Sequence, residues 1–177
     1  MTRTSAVSRA VLSAGSNIGE KTAHLQTVVD RFAAELVAVS SVYATPPWGG
    51  VEQDDFYNIT LIVDGGHSPD EWLSIGAELE QAADRTRELR WGPRTLDVDV
   101  ITVTIDGEPV RSDDPHLLLP HPRARERAFV LVPWLEIDPD ATLWTPDGTV
   151  AVADALDRVD PAERAAVRPV AHLGESR

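Results

Sequence analysis

Apolar and polar positions repeat with two different periods along this chain, and each change of period marks an element. Ala10 to Ala14 is a short apolar run that ends in Gly15-Ser16-Asn17, a strand feeding a turn. Leu25, Val28, Val29, Phe32, Ala33 and Leu36 then fall at the spacing of one helical stripe. Val37 to Tyr43 reads as a second strand, broken by the loop Ala44-Thr45-Pro46-Pro47-Trp48-Gly49-Gly50, whose paired prolines fix φ and remove two amide donors. Phe56 to Asp64 is a third strand, with Ile59, Leu61 and Val63 on one face and Asn58, Thr60 and Ile62 on the other. Ser68-Pro69-Asp70-Glu71 spells a helix start, Ser as N-cap, Pro at N1 and Glu at N3, and Trp72, Ile75 and Leu79 line the buried face of a helix to about Ala83. Leu96 to Ile105 is the fourth strand, and Asp106-Gly107 turns it into a short partner near Val110. Beyond His121-Pro122 a last main helix holds Phe129, Leu131, Val132, Leu135 and Ile137, with Pro133 expected to kink or divide it.

The order β-α-β-β-α-β predicts an α+β fold, a ferredoxin-like split βαβ sandwich in which helices pack on one face of an antiparallel sheet. With neither an internal repeat nor a linker, residues 1–177 are expected to form a single domain, with its core at 9–139. A small appendage at 140–160 carries the Pro146-Asp147-Gly148 turn and a short helix near Val150 to Val159, and 161–177 is expected to be a loosely held tail.

Composition narrows the function. With 42% hydrophobic residues the 177-residue chain can bury a real core, and its lack of cysteine removes disulfides, thiolate metal sites and thiol nucleophiles. It has no apolar leader and no run of membrane-spanning length, so a cytoplasmic, unexported monomer is expected. A net charge of -13 repels nucleic acid. Yet seven of the fifteen arginines fall in Arg85 to Arg94 and Arg123 to Arg127. A local basic cleft in an acidic molecule suits a small polyanion such as ATP.

The chemistry concentrates in Arg85 to Val100, R-T-R-E-L-R-W-G-P-R-T-L-D-V-D-V. Asp97 and Asp99 alternate with Leu96, Val98 and Val100, so both carboxylates project from one strand face. Two such carboxylates repel unless a cation lies between them, and hard oxygen donors favour Mg²⁺ held jointly with phosphates. Arg85, Arg87, Arg90 and Arg94 supply planar forks for phosphate oxygens. Taken singly, an arginine-rich loop is commonly solvated surface and a D-x-D pair an exposed face. Together they describe a phosphate-plus-magnesium site.

W-G-P-R-T-L-D-V-D-V resembles the signature of the 6-hydroxymethyl-7,8-dihydropterin pyrophosphokinases, folate-pathway enzymes that move a pyrophosphoryl group from ATP to a pterin alcohol and release AMP. The resemblance extends to A-G-S-N-I-G (Ala14 to Gly19), Y-A-T-P-P-W-G (Tyr43 to Gly49), F-Y-N (Phe56 to Asn58) and L-P-H-P-R-A-R-E-R-A-F (Leu119 to Phe129). It implies the ferredoxin-like fold, ATP and a hydroxymethyl dihydropterin as ligands, and two Mg²⁺ ions held by Asp97 and Asp99. It further implies a catalytic set of Arg85, Arg94, Asp97 and Asp99, and ATP contacts from Arg85, Arg87, Trp91, Arg94, Val100, His121 and Arg127. For the pterin it implies Thr45, Pro46, Trp48, Phe56, Asn58 and Phe129, the phenylalanines as aromatic walls and Asn58 with Thr45 as readers of a guanidine-like edge.

Several of these residues have ordinary alternatives: His121 as a turn cap, Trp91 as packing, the phenylalanines as core. Glu80, similar to an acidic residue that braces the arginine loop, is also readable as an exposed helix charge. Trp48, Phe56 and Pro122 depart from the family pattern, and the arginine loop is one residue shorter than in some members. Two other functions remain: a module of the same fold that binds nucleotide or pterin without turnover, and an RNA-binding ferredoxin-like domain, which the charge disfavours.

Overall fold

The computed structural model describes residues 6–47, 54–84 and 95–174. In chain order the elements are β1 (Ser8–Ser16), α1 (Lys21–Arg31), β2 (Leu36–Val39), β3 (Val42–Thr45), β4 (Phe56–Gly65), α2 (Pro69–Asp84), β5 (Asp97–Ile105), β6 (Glu108–Pro109), β7 (Ser112–Asp114), β8 (Leu117–Leu119), α3 (Ala128–Ile137), β9 (Thr142–Thr145), β10 (Gly148–Ala151), α4 (Val152–Asp157), α5 (Pro161–Ala166) and β11 (Arg168–Ala171). The main sheet is antiparallel with order β11-β3-β4-β1-β5-β6, β2 pairing with β4 beside β3. This is the α+β sandwich that the element order implies.

Both faces of the sheet carry helices, where the pattern alone placed them on one. Leu25, Val28, Val29 and Phe32 of the α1 region and Trp72 and Ile75 of α2 bury Leu12, Ile59, Leu61, Val98 and Val100 on one face. Val130, Leu131 and Trp134 of α3, with Val152 of α4, cover Val11, Ile62 and Ile101 on the other. The second set leaves one end of its face uncovered, and that end is where the polar side chains of β1, β4 and β5 converge.

Local chemistry explains the boundaries. Ser68 Oγ accepts the Glu71 amide at 3.2 Å, the expected cap of α2. Asp106 and Gly107 both have positive φ, the twist that a two-residue hairpin between β5 and β6 requires. Pro133 lies inside α3 without dividing it. By contrast α1 stops at Arg31, and Leu36, expected on its stripe, pairs with Val63 in β2, because strand pairing satisfies its backbone where another helical turn would not. The strand expected at Val37 to Tyr43 is split: Ser40 and Ser41 leave the ladder, Ser40 Oγ accepting the Thr60 amide at 2.9 Å and the Ser41 amide donating to Glu136 at 3.1 Å. In the appendage Val150 belongs to the β9–β10 hairpin and the helix starts at Val152. The stretch expected to be a loose tail instead forms α5 and β11, and β11 pairs with β3.

One irregularity interrupts the β1–β5 ladder beside the site. The β1–β5 register shifts between Val11, opposite Thr102, and Leu12, opposite Val100, so Ile101 is an extra residue in β5. Val98 and Val100 pack against the α2 face while Ile101 packs against α3. Asp97 and Asp99 therefore share the α3 side with Ile101.

Among the described residues no helix is long and apolar enough to cross a membrane.

Candidate active site

On the α3 side, β1 presents Ser13 and Gly15, β3 Thr45, β4 Phe56 and Asn58, and β5 Asp97 and Asp99. Arg123, Glu126, Arg127 and Phe129, from the turn that enters α3, form the opposite wall, and Glu163 of α5 completes the lining. The cavity has a volume of about 670 Å³. β5 and β3 lie three strand spacings apart in the order β3-β4-β1-β5, which separates the carboxylate end from the Thr45 end by about 14 Å.

The carboxylate end is held from behind. Gly76 lets α2 approach closely enough that an added Cβ would stand 3.2 Å from Val98 Cγ1. From the same helix, Glu80 Oε1 accepts the Val98 amide at 2.7 Å, a donor that has no strand partner on that side among the described residues. Glu80 is thus half-buried and braces the strand that carries both aspartates, a role neither reading named; the arginine loop it was expected to brace lies outside the described residues.

In front of them, Arg127 Nη1 lies 3.6 Å from Asp99 Oδ2 and its guanidinium stands 5.6 Å from the centre of the Phe129 ring. The His121 amide donates to the Ile101 carbonyl at 2.8 Å, which ties the histidine turn to the β5 bulge. His121 Nδ1 accepts the Arg123 amide at 3.2 Å. Burial pushes the imidazole below its ordinary value; Asp99 opposes this, and Arg127 and Arg123 reinforce it. A neutral ring with Nδ1 engaged carries its proton on Nε2, a donor fit for a phosphate oxygen.

At the other end, Asn58, 4% exposed, donates from Nδ2 to Thr45 Oγ1 at 3.3 Å. Asn58 Oδ1 faces Gly15, where an added Cβ would come within 2.7 Å. The half-buried rings of Phe56 and Phe129 both reach the cavity. Asp55, next to Phe56, is gripped twice: Lys21 Nζ donates to its carbonyl at 2.9 Å and Arg168 Nη2 to its carboxylate at 2.9 Å.

Among the residues singled out from sequence, Thr45, Phe56, Asn58, Asp97, Asp99, Arg127 and Phe129 thus meet in one cavity. His121 stands beside it. Pro46 is exposed and is not among the lining residues. The Val100 side chain is buried in the α2-facing core, one position out of phase with the aspartates, which leaves its main chain as the part able to reach a ligand. Trp48, Arg85, Arg87, Trp91 and Arg94 lie outside the described residues. Sequence reasoning gave no role to Gly15, which lies within the Ala14 to Gly19 motif, or to Ser13, although alternation from Val11 puts both on this face. No local pattern marks Glu163.

The donor set fits a hard divalent cation. Two carboxylates from one strand face are the usual protein share of a magnesium site, phosphates and water supplying the rest, and among the described residues no group of three His, Cys, Asp or Glu side chains offers a complete cage.

Comparison with known proteins shows the family. Over residues 11–139 the chain matches the family model described as 7,8-dihydro-6-hydroxymethylpterin-pyrophosphokinase. It is 45% identical over 168 residues to the Mycobacterium tuberculosis protein named 2-amino-4-hydroxy-6-hydroxymethyldihydropteridine pyrophosphokinase, covering 92% of this chain and 89% of that one. The Methylorubrum extorquens protein of the same name is 43% identical over 88% of this chain and 96% of its own. In structure, the chain is similar to the wild-type Plasmodium falciparum HPPK-DHPS crystallised with pterin and p-hydroxybenzoate, with a TM-score of 0.59 at 12% identity, covering 89% of this chain and 44% of that one. That last likeness concerns the fold alone. With the family model matched over most of the chain and relatives of 43–45% identity covered nearly end to end, the chain belongs to the 7,8-dihydro-6-hydroxymethylpterin-pyrophosphokinase family.

Proposed function

We propose that this chain transfers the pyrophosphoryl group of ATP to the hydroxymethyl oxygen of 6-hydroxymethyl-7,8-dihydropterin, giving AMP and the pterin diphosphate, a step of folate biosynthesis. The observation that carries it is the union, in one cavity, of the Asp97/Asp99 pair with the Thr45, Asn58, Phe56 and Phe129 end. A flat ring needs aromatic walls and an amide that both donates and accepts; a triphosphate needs cations. The cavity offers each at opposite ends.

In this reading Asp97 and Asp99 hold Mg²⁺ together with the nucleotide phosphates, and the chemistry the ion supplies when bound is neutralisation of the triphosphate charge. Arg127, Arg123 and the Nε2 of neutral His121 donate to phosphate oxygens. Arg85, Arg87, Trp91 and Arg94 keep the ATP-side roles that family resemblance implies, and Trp48 and Pro46 theirs beside the pterin. The hydroxymethyl oxygen attacks the β-phosphorus as the bond to the α-phosphate oxygen breaks; the hydroxyl proton leaves to solvent or to a carboxylate at the β5 end. The protein contributes alignment of the two substrates across about 14 Å of sheet more than covalent help. The family's chemistry, which acts on small water-soluble substrates, supports a soluble cytoplasmic enzyme.

Incubation with ATP, Mg²⁺ and the dihydropterin should yield AMP in step with pterin diphosphate. ADP as the nucleotide product, or no nucleotide turnover from folded protein, overturns the proposal in favour of a binding module.

A further inference from the structure

The C-terminal arm, Asp160 to Ala171, lies beyond the 11–139 span of the family match yet forms part of the cavity. Asp160 caps α5 by accepting the Ala162 amide at 2.8 Å, and the chain then passes directly into β11, where Arg168 pairs opposite Ala44, next to Thr45. Arg168 also holds Asp55, beside the Phe56 wall. The arm is therefore registered on both strands that build the Thr45–Asn58 end, and Glu163 enters the cavity from that side. Arg164, its neighbour, is engaged with Asp157 at 3.6 Å. Among the described residues the Glu163 carboxylate makes no hydrogen bond or ion pair.

An unpaired carboxylate in the wall of a polyanion site would cost affinity if it faced phosphate, by simple like-charge repulsion. At the Thr45–Asn58 end it meets the opposite requirement. The proposed substrate is a heteroaromatic whose pyrimidine edge presents an amino group and a ring N–H side by side, the donor pattern that a carboxylate accepts in the way it accepts a guanidinium. Asn58, already engaged with Thr45, can satisfy only part of that edge.

We propose that Glu163 is a specificity-determining residue of the pterin subsite, its carboxylate accepting hydrogen bonds from the N–H donors of the pterin ring. This rests on the function proposed above. Charge-assisted hydrogen bonds of this kind change dissociation constants by about ten- to a hundredfold. The test is equilibrium binding to the full chain in the presence of Mg²⁺ and a non-hydrolysable ATP analogue, with two ligands, the pterin and the same ring lacking its 2-amino group. Glu163→Gln, which keeps shape and removes charge, should weaken the pterin about tenfold or more, leave the ATP analogue within about twofold, and shrink the penalty for the missing amino group. Glu163→Ala should do the same. Unchanged pterin affinity, an equal loss for the nucleotide, or an undiminished penalty overturns the assignment. Because binding is read without turnover, failure of the wild type to form AMP sinks the pyrophosphokinase proposal, whereas normal AMP formation with unaltered pterin affinity in Glu163→Gln sinks this one alone.

Discussion

Gly15 stands opposite Asn58 in the β1–β4 ladder, and the space a side chain would need there is already filled by the Asn58 carbonyl oxygen. Gly15→Ala should therefore turn Asn58 out of its contact with Thr45, costing about 1–3 kcal/mol of stability and raising the KM for pterin more than that for ATP; steady-state kinetics against both substrates checks it. At the opposite end Asp97→Ala should abolish AMP formation while leaving the fold intact, since the carboxylate lies on the cavity wall and not in the core. Near-normal turnover by that variant would remove the metal role. Tyr43 provides a third handle. Burial, and then its hydrogen bond to Glu136 at 2.6 Å, push the phenol up to about 12 from its ordinary 10.0. With the folded value raised, the stabilisation is complete below pH 10 and disappears as pH rises toward 12. Ultraviolet titration should show one tyrosine ionising near pH 12, a component that Tyr43→Phe removes. The residues legible in sequence were those whose phase is set by strand alternation, such as Asp97, Asp99 and Asn58. Val100 was assigned to the nucleotide by resemblance, although the same alternation assigns its side chain to the core.

Among elements, β5 and α2 act as a unit. Gly76 admits the close approach, and Glu80 accepts the amide between the two aspartates, so the helix sets the position of the strand that carries them. Glu80→Ala leaves that amide unsatisfied at an expected cost of about 1–3 kcal/mol, with a fall in kcat larger than any rise in the pterin KM. If thermal stability drops but kinetics stay normal, the brace serves the fold alone. This contact joins residues eighteen apart in sequence, beyond any local period, which is why Glu80 reads equally well as a surface charge. The early end of α1 and the break at Ser40-Ser41 escaped for a related reason: each depends on pairing with β4, a partner that lies later in the chain.

At the scale of the molecule, the alternation of periods was enough for an antiparallel sandwich, because strand and helix signals here are long and clean. It missed that helices cover both faces, since α3 is apolar nearly all round and its stripe does not say which layer it joins. It also missed the closing arm, whose few apolar residues carry no readable period. The arm holds on largely through the β11–β3 ladder and the Arg168–Asp55 pair, which is 59% and 34% exposed. Arg168→Ala should thus change stability by only about 0–1 kcal/mol, yet weaken pterin binding by loosening the Phe56 wall; calorimetry and pterin titration together separate the two effects.

The extra residue at Ile101 carries a last consequence. Asp97, Asp99 and Ile101 look toward α3 by plain alternation, and the doubled step comes after them: Thr102 and Thr104 also face Val11 and Trp134, while Val103 returns to the α2 core. Removing that single residue would leave an unbroken zigzag in which Asp97, Asp99, Thr102 and Thr104 face α3 and Val98, Val100 and Val103 face α2, with the loss of the Ile101 side chain beneath α3 and of the carbonyl that accepts the His121 amide. A one-codon deletion there should therefore loosen the histidine turn and lower thermal stability while the acidic rungs keep their side.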